Sequence, residues 1–130
     1  MLNLSVVDLF SAAQTGDKAA LAELTALADK GDSWAQWDLG TMYGNGHGVT
    51  KDAAQSVAWL RKAAEQGNAA AQNSLGLRYA TGEGVSNDAV QAASWYRKAA
   101  EQGFATAQST LGDMYRNGTG VPKDSVHGVV

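Results

Sequence analysis

The chain has 130 residues and a formal net charge of −3, with one proline, fifteen glycines and no cysteine. The weak negative charge argues against a nucleic-acid-binding surface, and the lack of cysteine excludes disulfides and thiolate chemistry. No apolar run reaches the ~18 residues of a membrane-spanning helix, and the start of the chain is a poor signal peptide, so a cytoplasmic location is favoured while a secreted or periplasmic one stays open.

Residues 1–31 are expected to form a pair of helices that caps the N-terminal end of a single helical domain. One helix is predicted from Ser5 to Gln14 and the other from Lys18 to Lys30. Apolar residues recur at helical spacing along one side of each helix. They are Val6, Leu9, Phe10 and Ala13 in the first helix and Leu21, Leu24 and Leu27 in the second.

The rest of the chain repeats itself every 36 residues without a gap, as the hexapeptide KAAEQG at 62–67 and 98–103 shows. A fixed period of this size indicates a solenoid, in which each unit packs only on its neighbours. The predicted units are 32–67, 68–103 and an incomplete third unit, 104–130. Positions that keep their residue in all three copies include Ala35/Ala71/Ala107, Gln36/Gln72/Gln108, Leu39/Leu75/Leu111, Gly40/Gly76/Gly112, Tyr43/Tyr79/Tyr115 and Asp52/Asp88/Asp124.

Each unit is predicted to open with a helix, here called helix A, which runs from about Ser33 to Tyr43 in the first copy. A glycine recurs inside it, at Gly40, Gly76 and Gly112. Glycine inside a helix costs about 1 kcal/mol relative to alanine. We infer that a neighbouring helix crosses helix A too closely to leave room for a Cβ.

A Gly-x-Gly-Val loop follows helix A, and its glycines are expected to supply the positive φ angles of a tight turn. The second helix of the unit, helix B, is predicted to begin after Asp52 or Asp88. These aspartates are N-caps, and with Gln55 and Gln91 they form a capping-box pattern.

Helix B is expected to end at Gln66 in the first unit and at Gln102 in the second. The glycine that follows, at 67 or 103, is predicted to be a left-handed C-terminal cap. Apolar or small residues form one stripe along helix B. Arg61, Lys62 and Glu65 lie off that stripe and are expected to face water.

The repeated residues resemble the Sel-1-like repeat family, which is related to the tetratricopeptide repeats. The resemblance covers about Asp32 to Asp124. It rests on Ala-Gln-x-x-Leu-Gly-x-x-Tyr, the Gly-x-Gly-Val loop, the capping aspartate and Trp-Tyr-Arg-Lys-Ala-Ala-Glu-Gln-Gly at 95–103. It implies an all-α, right-handed α/α superhelix that serves as a protein–protein interaction scaffold or adaptor, with a partner on a concave face lined by helix A. The third unit departs from the pattern because its helix B is missing.

Three features that could carry chemistry have simpler structural explanations. The sequence Gly44-Asn-Gly46-His-Gly48 follows a helix rather than a strand, so it is interpreted as a turn rather than a dinucleotide-binding loop. His47 and His127 have no cysteine to join them in a metal site. The acids near the presumed groove, Asp38, Glu83 and Asp113, show no pairing and are expected to be solvated or to contact a partner. No catalytic residue, metal or cofactor is predicted.

The residues of helix A that vary between copies are the best candidates for binding, because packing does not explain them. Positions 34, 37, 38 and 41 and their equivalents follow helical spacing and lie roughly opposite the repeated side of helix A. Exposed tryptophans there are costly unless they bind something; the alternative is that Trp34 and Trp37 pack on the N-terminal helices. The predicted partner-binding residues are Trp34, Trp37, Asp38, Thr41, Asn73, Leu77, Ser109 and Asp113.

The sequence thus predicts a non-enzymatic module that binds a peptide or a helix of another protein. Two alternatives stay open: a hydrolase that uses groove carboxylates, and a self-assembling structural module. The second alternative rests on helix A of the third unit, where Leu111, Met114 and Tyr115 are expected to lack a covering helix B. That predicts self-association or a natural chain longer than this one.

Overall fold

The computed structural model describes residues 5–123, so Asp124, His127 and the rest of the end of the third unit lie outside the described residues. Within this range the backbone forms only helices, as predicted, and each helix packs on the one before it and the one after it. The helices are α1 Val6–Gln14, α2 Lys18–Asp29, α3 Ser33–Asn45, α4 Ala53–Glu65, α5 Ala69–Thr81, α6 Ala89–Glu101 and α7 Ala105–Asn117. Helix A of the three units is therefore α3, α5 and α7, and helix B is α4 or α6.

The aspartates predicted to start helix B do so, but the capping box is only half formed. The Asp52 carboxylate accepts a hydrogen bond from the backbone N–H of Gln55, and Asp88 does the same for Gln91. The backbone N–H of Asp52, however, donates to the carbonyl of Tyr43 at 2.9 Å. The end of helix A thus uses the donor that the glutamine side chain would have satisfied, and it closes the loop onto helix B.

The predicted stop of helix B is confirmed by its hydrogen bonds. Gly67 has φ +93°, its N–H donates to the Ala64 carbonyl, and the N–H of Asn68 reaches back to Ala63. This pair of bonds is a Schellman motif. Asn68 then caps α5 by accepting from the N–H of Ala71, so one residue ends one helix and begins the next.

The glycine inside helix A lies where helix B crosses it, as inferred. A Cβ at Gly40 would lie 2.7 Å from Cγ of Leu60, and a Cβ at Gly76 would lie 3.1 Å from the ring of Tyr96. The second glycine of the loop has a further reason to be glycine: a Cβ at Gly84 would overlap the carbonyl oxygen of Ala53, in the helix B of the preceding unit.

A relay of glutamine side chains joins the end of each helix B to its own helix A and to the helix A of the next unit. Gln36 is buried, and its Nε2 donates to the Ala28 carbonyl at the end of α2, 3.0 Å away. Its Oε1 accepts from Nε2 of Gln66, at the end of α4, at 2.8 Å. Gln72 makes the same two bonds, to Ala64 and from Gln102. The glutamine that recurs in helix A is therefore the residue that satisfies the last turn of the preceding helix B.

The prediction that Arg61 faces water is wrong. Arg61 is half-buried, and its guanidinium donates to the hydroxyl of Tyr79 at 2.7 Å and lies over the ring. Lys62 is exposed as predicted, with its ammonium over Trp59. The tyrosine that recurs in helix A is thus held by an arginine from the helix B before it.

The expectation that Met114 is left uncovered is also wrong. Met114 is only 8 % exposed and belongs to an apolar cluster between α6 and α7 that includes Tyr96 of α6 and Ala107 of α7. Leu111 is only half-buried beside that cluster. The apolar side of α7 is therefore covered mainly by the helix B that precedes it.

Replacing Gly76 by leucine is expected to lower the free energy of unfolding by several kcal/mol. The new side chain would have to displace the Tyr96 ring at a helix crossing, and overpacking alone typically costs about 1–3 kcal/mol. Urea unfolding measures the change. Ala80→Leu, an exposed site on the same helix, is the control. A Gly76 variant as stable as that control would contradict the close crossing.

The glutamine relay is tested by Gln72→Leu. Leucine keeps the bulk but removes both relay bonds of this side chain, to the Ala64 carbonyl and from Gln102. Each such bond contributes about 0.5–1.5 kcal/mol, so a loss of about 1–3 kcal/mol is expected. Thermal melting of Gln72→Leu is compared with that of Gln55→Leu, an exposed site in the first turn of α4. Equal losses in the two variants would show that the relay contributes nothing specific.

Candidate partner-binding face

The predicted binding residues lie on α3, α5 and α7 but differ widely in exposure. Trp34 is 54 % exposed and Leu77 is 48 % exposed. Ser109 and Asp113 on α7 are also exposed, whereas Thr41 on α3 is half-buried. The variable side of helix A is therefore open only in part.

Trp37 is built into the fold rather than free on its surface. Its ring packs against Phe10 of α1 and Trp34, with ring centroids 6.1 Å and 5.8 Å away. Its indole N–H donates to the hydroxyl of Ser74 on α5 at 3.2 Å. The alternative that the tryptophans pack on the N-terminal helices is thus correct for Trp37, whose loss would weaken the junction between α1, α3 and α5.

Asp38 was expected either to face water or to contact a partner, and the prediction that it faces water is wrong. Its side chain is 4 % exposed. Burial, with a smaller contribution from the negative charge of Asp32, raises the pKa of Asp38 from 3.8 to about 7. The cause is the approach of α1, which covers a side of α3 that the repeat pattern leaves open.

Trp34, Trp37 and Asp38 come together in one cavity of about 420 Å³ between α1 and α3. The residues that complete it are Ser5, which caps α1, and Val6, Val7 and Phe10 of α1. The sequence placed Val6 and Phe10 in a buried stripe and missed their part in this cavity. In the sequence, the apolar residue Val7 lies outside that stripe, and this was the one signal that α1 has a second apolar side. In the structure, Val7 is exposed.

The binding residues predicted on α5 are outside this cavity. Asn73 is half-buried, and its Oδ1 is buried without a hydrogen-bond partner among the described residues. Leu77 lies one turn further along the same helix and faces solvent. Leu77 therefore offers an apolar contact on the helix A of the central unit, whereas the acceptor of Asn73 is enclosed.

Arg78 on α5 is an unexpected charged residue in the interior. It takes the place of Met42 and Met114 of the other units, and its guanidinium packs against Gly44, where a Cβ would overlap it. Its Nη1 pairs with Glu83 in the following loop at 3.1 Å. Glu83 is therefore part of a structural ion pair rather than a groove acid awaiting a substrate.

The remaining candidates for chemistry stay apart. Asp113 pairs with Arg116 on the same helix, and His47 lies exposed in the loop after α3, between two glycines of positive φ. No cluster of metal-ligating side chains occurs between residues 5 and 123. In the same range, none of the helices has the length and apolar character to cross a bilayer.

The repeats match a known family over most of the chain. The profile described as Sel1 repeat matches residues 35–68, 69–104 and 105–129. The chain belongs to the Sel1 repeat family. Sel1 repeats are generally protein–protein interaction modules, and proteins built from them are generally non-enzymatic scaffolds. No curated protein gives a significant match to the chain.

Two solved structures with Sel1 repeats resemble this chain. One is a protective antigen present in uropathogenic Escherichia coli strains that displays an SLR fold, with 47 % identity over 84 % of this chain and a TM-score of 0.81. The chain spans only 23 % of the length of that antigen. The other is a Sel1 repeat protein from Oxalobacter formigenes, with 45 % identity, a TM-score of 0.75, and coverage of 82 % of this chain and 80 % of the other.

The buried Asp38 makes the stability of this Sel1 repeat protein depend on pH. Between pH ~4 and ~7 the folded chain keeps a proton that the unfolded chain releases, so the free energy of unfolding falls as pH rises through this window and is constant above it. Asp38→Asn removes the cost of burying the charge. We expect it to raise the melting temperature at pH 8 by about 5 °C or more and to change it little at pH 4.

Melting curves at pH 4, 6 and 8 measure this effect. Glu23→Gln, at an exposed position in the middle of α2, removes a charge without relieving burial and is the control. A shift of Asp38→Asn that is the same at all three pH values would contradict the raised pKa.

Proposed function

We propose that the chain is a non-enzymatic scaffold that binds an extended peptide or a helix of another protein along the open part of α3, α5 and α7. The observation that carries this proposal is the contrast within helix A. The residues that recur, such as Gln72 and Gly76, make the contacts of the fold, whereas Trp34 and Leu77 are large, apolar and exposed at positions that change between units. Exposed aromatic and apolar side chains of this kind are typical anchors of protein interfaces.

The two other functions are less well supported. A hydrolase needs carboxylates that act together, but Glu83 pairs with Arg78 and Asp113 pairs with Arg116. The carboxylate that shares a cavity with Asp38 is Asp32, and it caps α3 by accepting from the N–H of Ala35. Self-assembly through the end of α7 would use Leu111, which is half-buried, because Met114 is already covered. We therefore propose a different protein, rather than a substrate or a second copy, as the principal ligand.

The proposal is tested with Leu77→Ala. A partner is first captured from a lysate of the source organism, identified by mass spectrometry and purified, and its affinity is then measured by calorimetry. Truncation of an interface anchor typically weakens binding by about 2 kcal/mol or more, roughly thirtyfold. Exposed positions usually change stability by only about 0.5 kcal/mol, so the melting temperature should hardly move.

Val90→Ala is the matched control, because Val90 is also an exposed apolar residue but lies on α6, a helix B. It should leave both affinity and melting temperature unchanged. Equal loss of affinity in the two variants, or no loss in Leu77→Ala, would contradict binding along helix A.

A further inference from the structure

The cavity between α1 and α3 has a charge and an aromatic lining that distinguish it from a plain apolar groove. In the part of the chain that the structure describes, its ionisable lining residues are two carboxylates, Asp32 and Asp38, and no lysine or arginine lines it. The lining that α1 contributes is uncharged, and Ser74 of α5, which holds Trp37, is neutral. Among residues 5–123, no group that faces the cavity therefore balances the two acids.

Asp38 is the side chain that needs a ligand. It is 4 % exposed, yet no residue between 5 and 123 donates a hydrogen bond to its carboxylate or forms an ion pair with it. A buried charge without a partner is unfavourable, and a cation of the right size would remove that penalty. Asp32 differs, because its carboxylate already accepts from the N–H of Ala35.

Aromatic rings form the walls beside this carboxylate. The rings of Trp34 and Trp37 stand at 80° to each other with centroids 5.8 Å apart, and Phe10 lies 6.1 Å from Trp37 on the other side. A ring face attracts an organic cation, and tryptophan does so most strongly. The corner between two indoles and a carboxylate therefore favours a positively charged, partly apolar group.

We propose that this cavity holds a lysine side chain of the partner protein, with the ammonium on Asp38 and the methylene stem against Trp34. This inference rests on the proposed function, because the lysine belongs to the protein bound along helix A. Lysine fits better than arginine, since the five donors of a guanidinium need several acceptors and the cavity offers chiefly one free carboxylate. The volume of about 420 Å³ leaves room for an apolar neighbour of that lysine.

The site should also depend on pH, since the ammonium binds the ionised carboxylate. With a pKa of about 7 for Asp38 in the empty cavity, binding below that pH must release a proton. The apparent affinity is therefore expected to fall about tenfold from pH 8 to pH 6. Asp38→Asn should abolish this dependence.

The probes are three blocked tripeptides that differ only in the central residue: acetyl-Leu-Lys-Leu-amide and its norleucine and glutamate counterparts. Binding to the full chain is followed through the indole N–H signals in NMR spectra. The spectra of Trp34→Phe and Trp37→Phe identify which signal belongs to which tryptophan. The lysine peptide is expected to bind at least about tenfold more tightly than the norleucine peptide. The glutamate peptide should bind most weakly.

Three variants locate the site. Asp38→Asn should reduce the preference for lysine to near unity. Glu65→Gln, which removes an exposed carboxylate on α4 outside the cavity, should keep that preference. Trp34→Ala, at an exposed position, should weaken the lysine peptide more than the norleucine peptide. Melting curves check that all three variants are folded.

Several outcomes would overturn the inference. They are equal binding of the lysine and norleucine peptides, an unchanged lysine preference in Asp38→Asn, and no binding at all. Binding seen only after removal of residues 1–4 would mean that the chain's own first residues are the occupant. If light scattering shows that the chain dimerises, and the lysine preference disappears as dimers form, then the occupant of the cavity is a second copy of the chain.

These failures are separable from failure of the proposed function. If the affinity of the captured partner depends on Leu77 but the chain shows no preference for lysine, the lysine site in the cavity is refuted and binding along helix A is supported. If the preference for lysine depends on Asp38 but the captured partner binds equally well without Leu77, the lysine site is supported and binding along helix A is refuted.

Discussion

The glutamine relay is the interaction on which the stacking of the units depends. A buried amide must use both its donor and its acceptor, or it destabilises the fold. Gln72 satisfies both by bonding the end of α4 and the end of α6 at once. A slip of the first unit against the second would break the bond from Gln72 to Ala64 and the bond from Gln102 to the Gly67 carbonyl. The relay therefore fixes the register where apolar contacts alone would tolerate sliding.

The other inter-unit contacts act within the frame that the relay sets. The Schellman turn at Gly67 brings Asn68 to the start of α5, and the loop glycine Gly84 lets the next loop lie directly on the Ala53 carbonyl. The arginine of helix B holds the tyrosine of the following helix A. Each contact joins residues of adjacent units, and for this reason the same residues recur at the same spacing in the sequence.

What the sequence predicted correctly is what depends on that spacing. The crossing at Gly40 and Gly76, the capping aspartates and the end of helix B follow from local rules and from repetition, and the structure has them. The half-formed capping box and the half-buried Arg61 were missed because each depends on one specific hydrogen bond to a distant tyrosine. Helical periodicity says which residues share a side, but it does not say which side a third helix will cover.

Asp38 and Trp37 show that limit most clearly. Position 38 is serine in the second unit and threonine in the third, so the pattern marked it as free to vary and therefore as open. In the first unit the neighbour on that side is α1, which belongs to no full repeat and covers Asp38. The residues whose exposure was predicted wrongly lie at this non-repeated junction. Leu77 lies on α5, in the central repeat, and is exposed as expected.

A contact set that closes between adjacent units also has a genetic consequence. If a copy of residues 68–103 were inserted in tandem, its glutamine, its helix-crossing glycine and the arginine of its helix B would meet matching groups on both sides. Its Arg78 would instead meet Ala80, where Arg78 now packs on Gly44. The Trp37–Phe10 packing is different, since it joins a repeat to a helix that occurs once. Recombination can therefore lengthen the array in its middle with few new contacts, whereas it would not duplicate the acidic aromatic cavity between α1 and α3.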